Sequence, residues 1–411
     1  MPARSALERA GNVLIAGLIF SGCFVSFKPA PYEFFAIAAM VVWSMIGLRP
    51  HRSIVVLGML LFAWRFGVLV ALFPYVDEPD SVSWAMQSVY LALTALFFAA
   101  FLSEETERRM ELALKAFVAS CLLASAGGIL SYFVESRFLF ATYGRASGFF
   151  PDPNVFGSYQ ILGVVYLARK LFTGETRRPL LVAICLGVIA AGVFLAFSRG
   201  SWGATVVGIA LMGWLTFRTS AGRIRRRIVA IAAGTILGGV LGVAALLSVG
   251  SVAERFSDRA QVTQDYDEGE SGRFGNQIRS IPMLVERPIG FGPLRFYLTF
   301  GLDPHNSYIG GFANGGWLGG LGFIGLVIVT TIVGFRLCAS PSPFQRLAFV
   351  VCPALLMFFL QAFQIDIDPW RHVYLMIGMV WGLEAARIRW QFGQRQPSFR
   401  GAEGEPGTHE R

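Results

Sequence analysis

Windows of seventeen or more mostly apolar residues recur from one end of this chain to the other, and nothing else in the sequence restricts the fold as strongly. A run of that length crosses the hydrocarbon of a bilayer as a helix, which satisfies its own backbone hydrogen bonds where no water can. A membrane barrel would instead show short segments of alternating polarity. The runs are 11–27, 31–48, 54–73, 84–102, 112–133, 155–172, 180–197, 201–217, 228–249, 309–335, 345–364 and 372–388. An all-α integral membrane protein of about twelve transmembrane helices is expected, although the pair around Ser198-Arg199-Gly200 also reads as one broken helix. With 55% hydrophobic and 15% charged residues among 411, a water-soluble domain of this size is excluded. The expected organisation is a polytopic membrane domain over 1–390 with a long outer loop at 250–308 between the ninth and tenth runs, then a disordered cytoplasmic tail over 391–411.

Charge sets the orientation. Short cytoplasmic loops carry the excess of Lys and Arg. With the N-terminus inside, the inner segments hold 23 of the 35 basic residues and the outer segments 11, of which six lie in the long loop, where the rule does not apply. Both termini are therefore expected in the cytoplasm. The net charge of +9 is thereby a topology signal and not a nucleic-acid surface, so no nucleic-acid partner is expected. Only Lys28, Lys115 and Lys170 are lysines among the basic residues. That bias fits genomic base composition or a preference for forked, bidentate anion binding. Cys23, Cys121, Cys185, Cys338 and Cys352 are scattered in apolar surroundings without C-x-x-C spacing and read as small core residues, with no disulfide or metal site. Residues 1–23 do not fit a lipoprotein signal ending at Cys23, since Phe20 stands three positions before it and further spans follow.

Arg65 stands in the middle of the third run, where an unpaired charge is costly. It is either a cavity-lining residue or a structural partner of a carboxylate or of backbone carbonyls.

The remaining unusual sequence falls on the expected outer face. Residues 143–157 are rich in Pro and Gly, with Arg145 suited to hold an anion and Asn154 suited to cap a helix start while lining a cavity. Arg199 occupies a corner between two runs with almost no loop, where a charge snorkels to the interface or meets an anion. In the long loop, Arg273 has glycines nearby that let a phosphate approach the backbone, Arg279 follows, and the acidic run 265–270 reads as a solvated face. Asp303-Pro-His-Asn-Ser-Tyr308 precedes a glycine-rich span, and His305 and Asn306 stand at its outer boundary. A lone His is usually structural, yet a pKa near neutrality also suits proton removal. Asp366 and Asp368 form a D-x-D. Its resemblance to the metal motif of nucleotide-sugar transferases is set aside, because such sugars are cytoplasmic and this segment is expected outside. Compensation of Arg371 by these carboxylates is expected instead.

Taken in order, Gly144-Arg-Ala-Ser-Gly-Phe-Phe-Pro-Asp-Pro-Asn154, Ser198-Arg199-Gly200, the Gly-Arg273 of the long loop, Gly290-Phe-Gly-Pro293 and Pro304-His-Asn-Ser-Tyr308 resemble the O-antigen ligase and O-antigen polymerase superfamily over roughly 130–335. The resemblance implies a membrane glycosyltransferase acting at the periplasmic face of a bacterial inner membrane. Its donor would be a glycan on undecaprenyl pyrophosphate, and its acceptor lipid A core, as in lipopolysaccharide biosynthesis. Arg199, Arg273 and His305 would be catalytic, the arginines holding the pyrophosphate and the histidine activating the acceptor. Arg145, Asn154, Arg279, Asn306 and Arg371 would bind substrate. No metal or other cofactor is implied. Membrane lipids, a chain-length regulator and other polysaccharide assembly proteins are the expected partners. Two rivals stay open: a polymerase of O-antigen or exopolysaccharide repeat units, and a lipid-glycan flippase or transporter. The transporter reading draws on Arg65 and lacks the internal repeat such proteins often show.

Overall fold

The computed structural model describes residues 2–27, 29–134, 140–142, 144–260 and 272–395. Within these the chain is almost wholly helical. The first half comprises α1 (Pro2–Phe20), α2 (Pro31–Ile46), α3 (Ser53–Leu72), α4 (Pro79–Leu102), α5 (Thr106–Phe133), the short antiparallel strands β1 (Phe140–Thr142) and β2 (Arg145–Gly148), α6 (Pro153–Tyr159) and α7 (Ile161–Thr173). The second half comprises α8 (Pro179–Leu195), α9 (Arg199–Thr219), α10 (Gly222–Leu247), α11 (Gly250–Ala260), α12 (Arg273–Val285), α13 (Phe296–Phe300), α14 (Ser307–Ala339), α15 (Gln345–Gln361) and α16 (Arg371–Arg395).

Every apolar run of the sequence falls on helix, the run 155–172 being shared by α6 and α7 across a break at Gln160. Seven helices among the described residues are long and apolar enough to cross a membrane, and α2, α8 and α15 are shorter apolar helices. The chain is thus an all-α, multi-pass membrane protein. Within 250–308 the described residues form α11, α12 and α13. Helix α16 runs on to Arg395, past the tail boundary expected at 390, although Phe392, Gly393 and Gln394 are already exposed; the tail from 396 and the acidic run 265–270 lie outside the described residues.

The glycine-rich span explains itself in packing. At Gly67 of α3 a Cβ would lie 2.4 Å from the Gly319 nitrogen and 2.6 Å from the Gly315 oxygen of α14, so the two backbones touch. In lipid, where apolar burial gives little net drive, such close approach of small residues is what holds helices together.

Helix α14 is kinked at Gly316, whose φ of 60° and ψ of −159° place it in a region other residues avoid. The kink breaks the helical ladder and would orphan backbone groups inside the membrane protein. They are taken up by the chain before α13. Trp317 N donates to Pro288 O at 2.9 Å, and Ala313 O accepts from Phe291 N at 2.8 Å and Gly292 N at 3.1 Å. Gly290-Phe-Gly-Pro293 is therefore a plug that satisfies the kink, and irregular backbone is tolerated there because protein surrounds it.

The mid-span charge is structural. Arg65 donates from Nη1 to Asp368 Oδ2 at 3.0 Å and from Nη2 to Asp368 Oδ1 at 2.6 Å, both side chains being buried. Tyr374 of α16 accepts from Arg65 and donates to Asp368 Oδ1 at 2.7 Å. The fork-on-carboxylate geometry neutralises both ions away from water. Asp368 thus compensates Arg65 and not Arg371, as the sequence had suggested. Arg371 is taken by Glu33 of α2 and by Phe24 O.

Candidate functional site

Three helices begin at one cavity. Ser198 caps α9, its side chain accepting from Ser201 N at 3.4 Å, so Arg199 is the first helical residue. Gly272 precedes α12, whose first residue is Arg273. Asn306 caps α14, accepting from Tyr308 N at 3.0 Å and Ile309 N at 3.1 Å, and His305 immediately precedes that cap. Arg199, Arg273 and His305 line a cavity of about 540 Å³ together with Arg145, Asp152, Asn154, Phe197, Ser198, Gly200, Leu302, Gln361, Gln364 and Ile365. A helix N-terminus presents unpaired N–H groups and the positive end of the macrodipole. The cavity thus gathers the starts of α9, α12 and α14 and three guanidinium groups, the first N–H groups of α14 being already taken by Asn306 and Ala362 O. At Gly200 an added Cβ would meet only Gln364 Oε1, at 3.9 Å, so the backbone beside Arg199 stays open to an occupant.

The side chains are held from behind. Arg273 Nη1 donates to Gln364 O at 3.3 Å, and Gln277, one turn further along α12, donates from Nε2 to Pro304 O at 2.9 Å. The helix carrying Arg273 is thereby tied to the residue before His305. Ser307 N donates to Ala362 O at 2.8 Å, and Ser307 Oγ donates to Asp366 Oδ1 at 3.1 Å. Asp366 Oδ1 also accepts from Asp368 N at 3.0 Å. Burial, and then the neighbouring Asp368 charge, push the Asp366 carboxyl up to about 6.

Two non-glycine residues at the cavity take positive φ: His305 at 44° and Phe197 at 45°, each just before a helix cap. For side chains with a Cβ this conformation costs about 1–2 kcal/mol. Strain of this kind persists where surrounding bonds over-determine the backbone, here the caps Asn306 and Ser198.

Of the residues singled out in the sequence, five meet at the cavity: Arg145, Asn154, Arg199, Arg273 and His305. Arg145 is nevertheless engaged by protein, with Nε donating to Ala196 O at 2.8 Å and Nη2 to Asn154 Oδ1 at 2.8 Å. It fixes the end of α8 against β2 and so aims the corner that carries Arg199. Asn154 is not the cap of α6. Asp152 is, accepting from Asn154 N at 2.7 Å, because Pro153 already occupies the first helical position. Arg279, Asn306 and Arg371 do not line the cavity. Arg279 is exposed on the far side of α12, Asn306 spends its side chain on the α14 cap and on Phe363 O, and Arg371 is paired with Glu33. The sequence reading missed Gln361 and Gln364. Their signal was present, since they are the polar residues that close the otherwise apolar run 345–364.

Residues 180–324 match the family model described as O-Antigen ligase. That segment belongs to the O-antigen ligase family. No curated protein matches the chain. The O-antigen ligase segment runs from α8 into α14 and so contains Arg199, Arg273 and His305. It is narrower than the 130–335 expected from the motifs, and the cavity draws Arg145, Asn154, Gln361 and Gln364 from outside it. The family that this segment matches is one of glycosyltransferase-like enzymes.

Proposed function

We infer that this protein transfers a glycan from undecaprenyl pyrophosphate to lipid A core at the periplasmic face of a bacterial inner membrane. The observation that carries the reading is the convergence of three helix N-termini, bearing Arg199, Arg273 and His305, on one cavity. A pyrophosphate is the ligand such a cavity suits. Each helix end contributes roughly 0.3–1 kcal/mol toward an anion, and each charged hydrogen bond about 1.5–3 kcal/mol, so the arginines dominate and the helix ends assist.

The reaction breaks the bond between the anomeric carbon and a phosphate oxygen, and the electron pair stays on that oxygen. Arg199 and Arg273 stabilise the charge that grows there. The pyrophosphate is a good leaving group and needs no proton donor. The attacking hydroxyl of the acceptor is the group that gains from a base, and His305 takes its proton as the new bond to the anomeric carbon forms. Direct displacement inverts the anomeric centre. No step calls for a metal.

The test uses purified protein with lipid-linked glycan and acceptor, and a deletion strain. His305→Ala and Arg273→Ala, correctly inserted, are expected to abolish joining, and the deletion strain is expected to accumulate full-length glycan unattached to lipid A core. Joining at the wild-type rate by either variant overturns the residue roles. A strain that instead makes only single repeat units identifies a polymerase, and loss of activity with a chelator overturns the arginine account.

A further inference from the structure

We propose that Gln361 is the donor-sugar contact of this cavity, its side-chain amide donating to an acceptor oxygen on the first sugar of the lipid-linked glycan. The inference rests on the transferase reading above and adds to it the group that reads the sugar.

Gln361 is the last residue of α15, lines the cavity and is only 8% exposed. Its oxygen is pinned: Oε1 accepts from Ser158 Oγ at 2.6 Å. Ser158, its own proton given to Gln361, accepts from Ser201 Oγ at 3.0 Å, and Ser198 Oγ lies a further 3.0 Å from Ser201 Oγ. This chain of hydroxyls runs from α15 through α6 to the cap of α9, the helix that carries Arg199. With Ser158 as donor, Oε1 is the acceptor end of the amide. The donor end, Nε2, is buried and has no partner among the described residues. A buried N–H group without an acceptor is costly, so an occupant that supplies one recovers that cost.

The chemistry of the cavity says what the occupant offers there. The phosphates have guanidinium groups and helix ends to bind. Gln361 is a neutral donor, suited to a neutral oxygen such as a sugar hydroxyl or an amide carbonyl. Because the hydroxyl chain joins it to the α9 cap, the sugar contact and the Arg199 phosphate contact are held in one fixed relation, as a displacement at the bond between them requires.

The experiment compares two probes: a polyprenyl pyrophosphate without sugar, and the same lipid carrying one N-acetylglucosamine, which offers both kinds of acceptor oxygen. Gln361→Met keeps the length of the side chain and removes the donor; Ser158→Ala releases the amide from its pin. The sugar-bearing lipid is expected to bind Gln361→Met about five- to tenfold more weakly than wild type, the worth of one hydrogen bond. Ser158→Ala is expected to lie between them. Affinity for the sugar-free lipid is expected to stay within error of wild type in both variants. Equal weakening toward both lipids, or no weakening toward either, overturns the assignment of Gln361 alone. Failure of the wild-type protein to bind either lipid overturns the transferase reading and this inference with it.

Discussion

Replacing His305 by Gly and by Ala separates its chemistry from its conformation. Both variants lose the imidazole. They differ in how they bear the φ of 44° that the chain takes just before the α14 cap. Alanine keeps the left-handed cost of about 1–2 kcal/mol, while glycine escapes it and loses about 0.4–1 kcal/mol through the greater freedom of its unfolded chain. The difference leaves His305→Gly more stable than His305→Ala by roughly 0.5–1 kcal/mol. For a chain of this length that is a rise in thermal midpoint of about 1–2 °C, readable by unfolding of the two purified variants side by side in one detergent. Transfer activity is expected to fall in both by about 10²–10⁴-fold, the usual worth of a general base. Equal midpoints would mean that the caps of α14 do not hold this residue under strain. Activity in either variant near wild type would remove His305 from the chemistry.

Lysine at position 199 or 273 keeps the charge and loses the fork, so each of Arg199→Lys and Arg273→Lys is expected to lower kcat by about 10²-fold, with initial-rate kinetics as the check. Arg65→Leu leaves Asp368 buried and uncompensated and is expected to cost about 3–5 kcal/mol, whereas the Arg65→Leu, Asp368→Asn pair regains most of it; a double-mutant cycle with no coupling energy would refute the pairing. The raised Asp366 carboxyl titrates from about 6 folded toward 3.8 unfolded, so stability is highest below the lower value and falls as pH rises through that window. Asp366→Asn, which keeps the acceptor oxygen, is expected to remove that fall in thermal midpoint.

The helices were legible because an apolar run in a membrane has one way to satisfy its backbone, and each of the runs carried its own evidence. The outer arginines were legible as a set but not individually. In the sequence Arg199, Arg273 and Arg371 look alike, each an arginine between apolar runs, and only the fold sets Glu33 beside Arg371 and leaves the other two at the cavity. Asp152 and Asn154 exchanged roles because either suits a helix start, and the proline between them decides. The partner of Arg65 was unreadable, being 303 residues away with no local pattern to mark it. Gly290-Phe-Gly-Pro293 stood out by resemblance, while its task of satisfying the α14 kink depends on a break at Gly316 that no local rule announces.

That distance of 303 residues also sets an order of events during synthesis. Helix α3 leaves the ribosome with Arg65 at its centre, and at about 5–20 residues per second Asp368 follows roughly 15–60 s later. For that time the charge is carried into the bilayer by its neighbours alone. An arginine at mid-span opposes insertion by about 2.5–3.5 kcal/mol, and the surrounding segment Ser53–Tyr75, with a mean hydropathy of 2.3, supplies the counterweight. The ion pair closes when the last two helices arrive, so Asp368 works as a latch that the finished chain turns behind itself. A protein truncated after α15 would lack Asp368 and leave α3 inserted but unlatched, distinguishable from the native state by its unneutralised arginine.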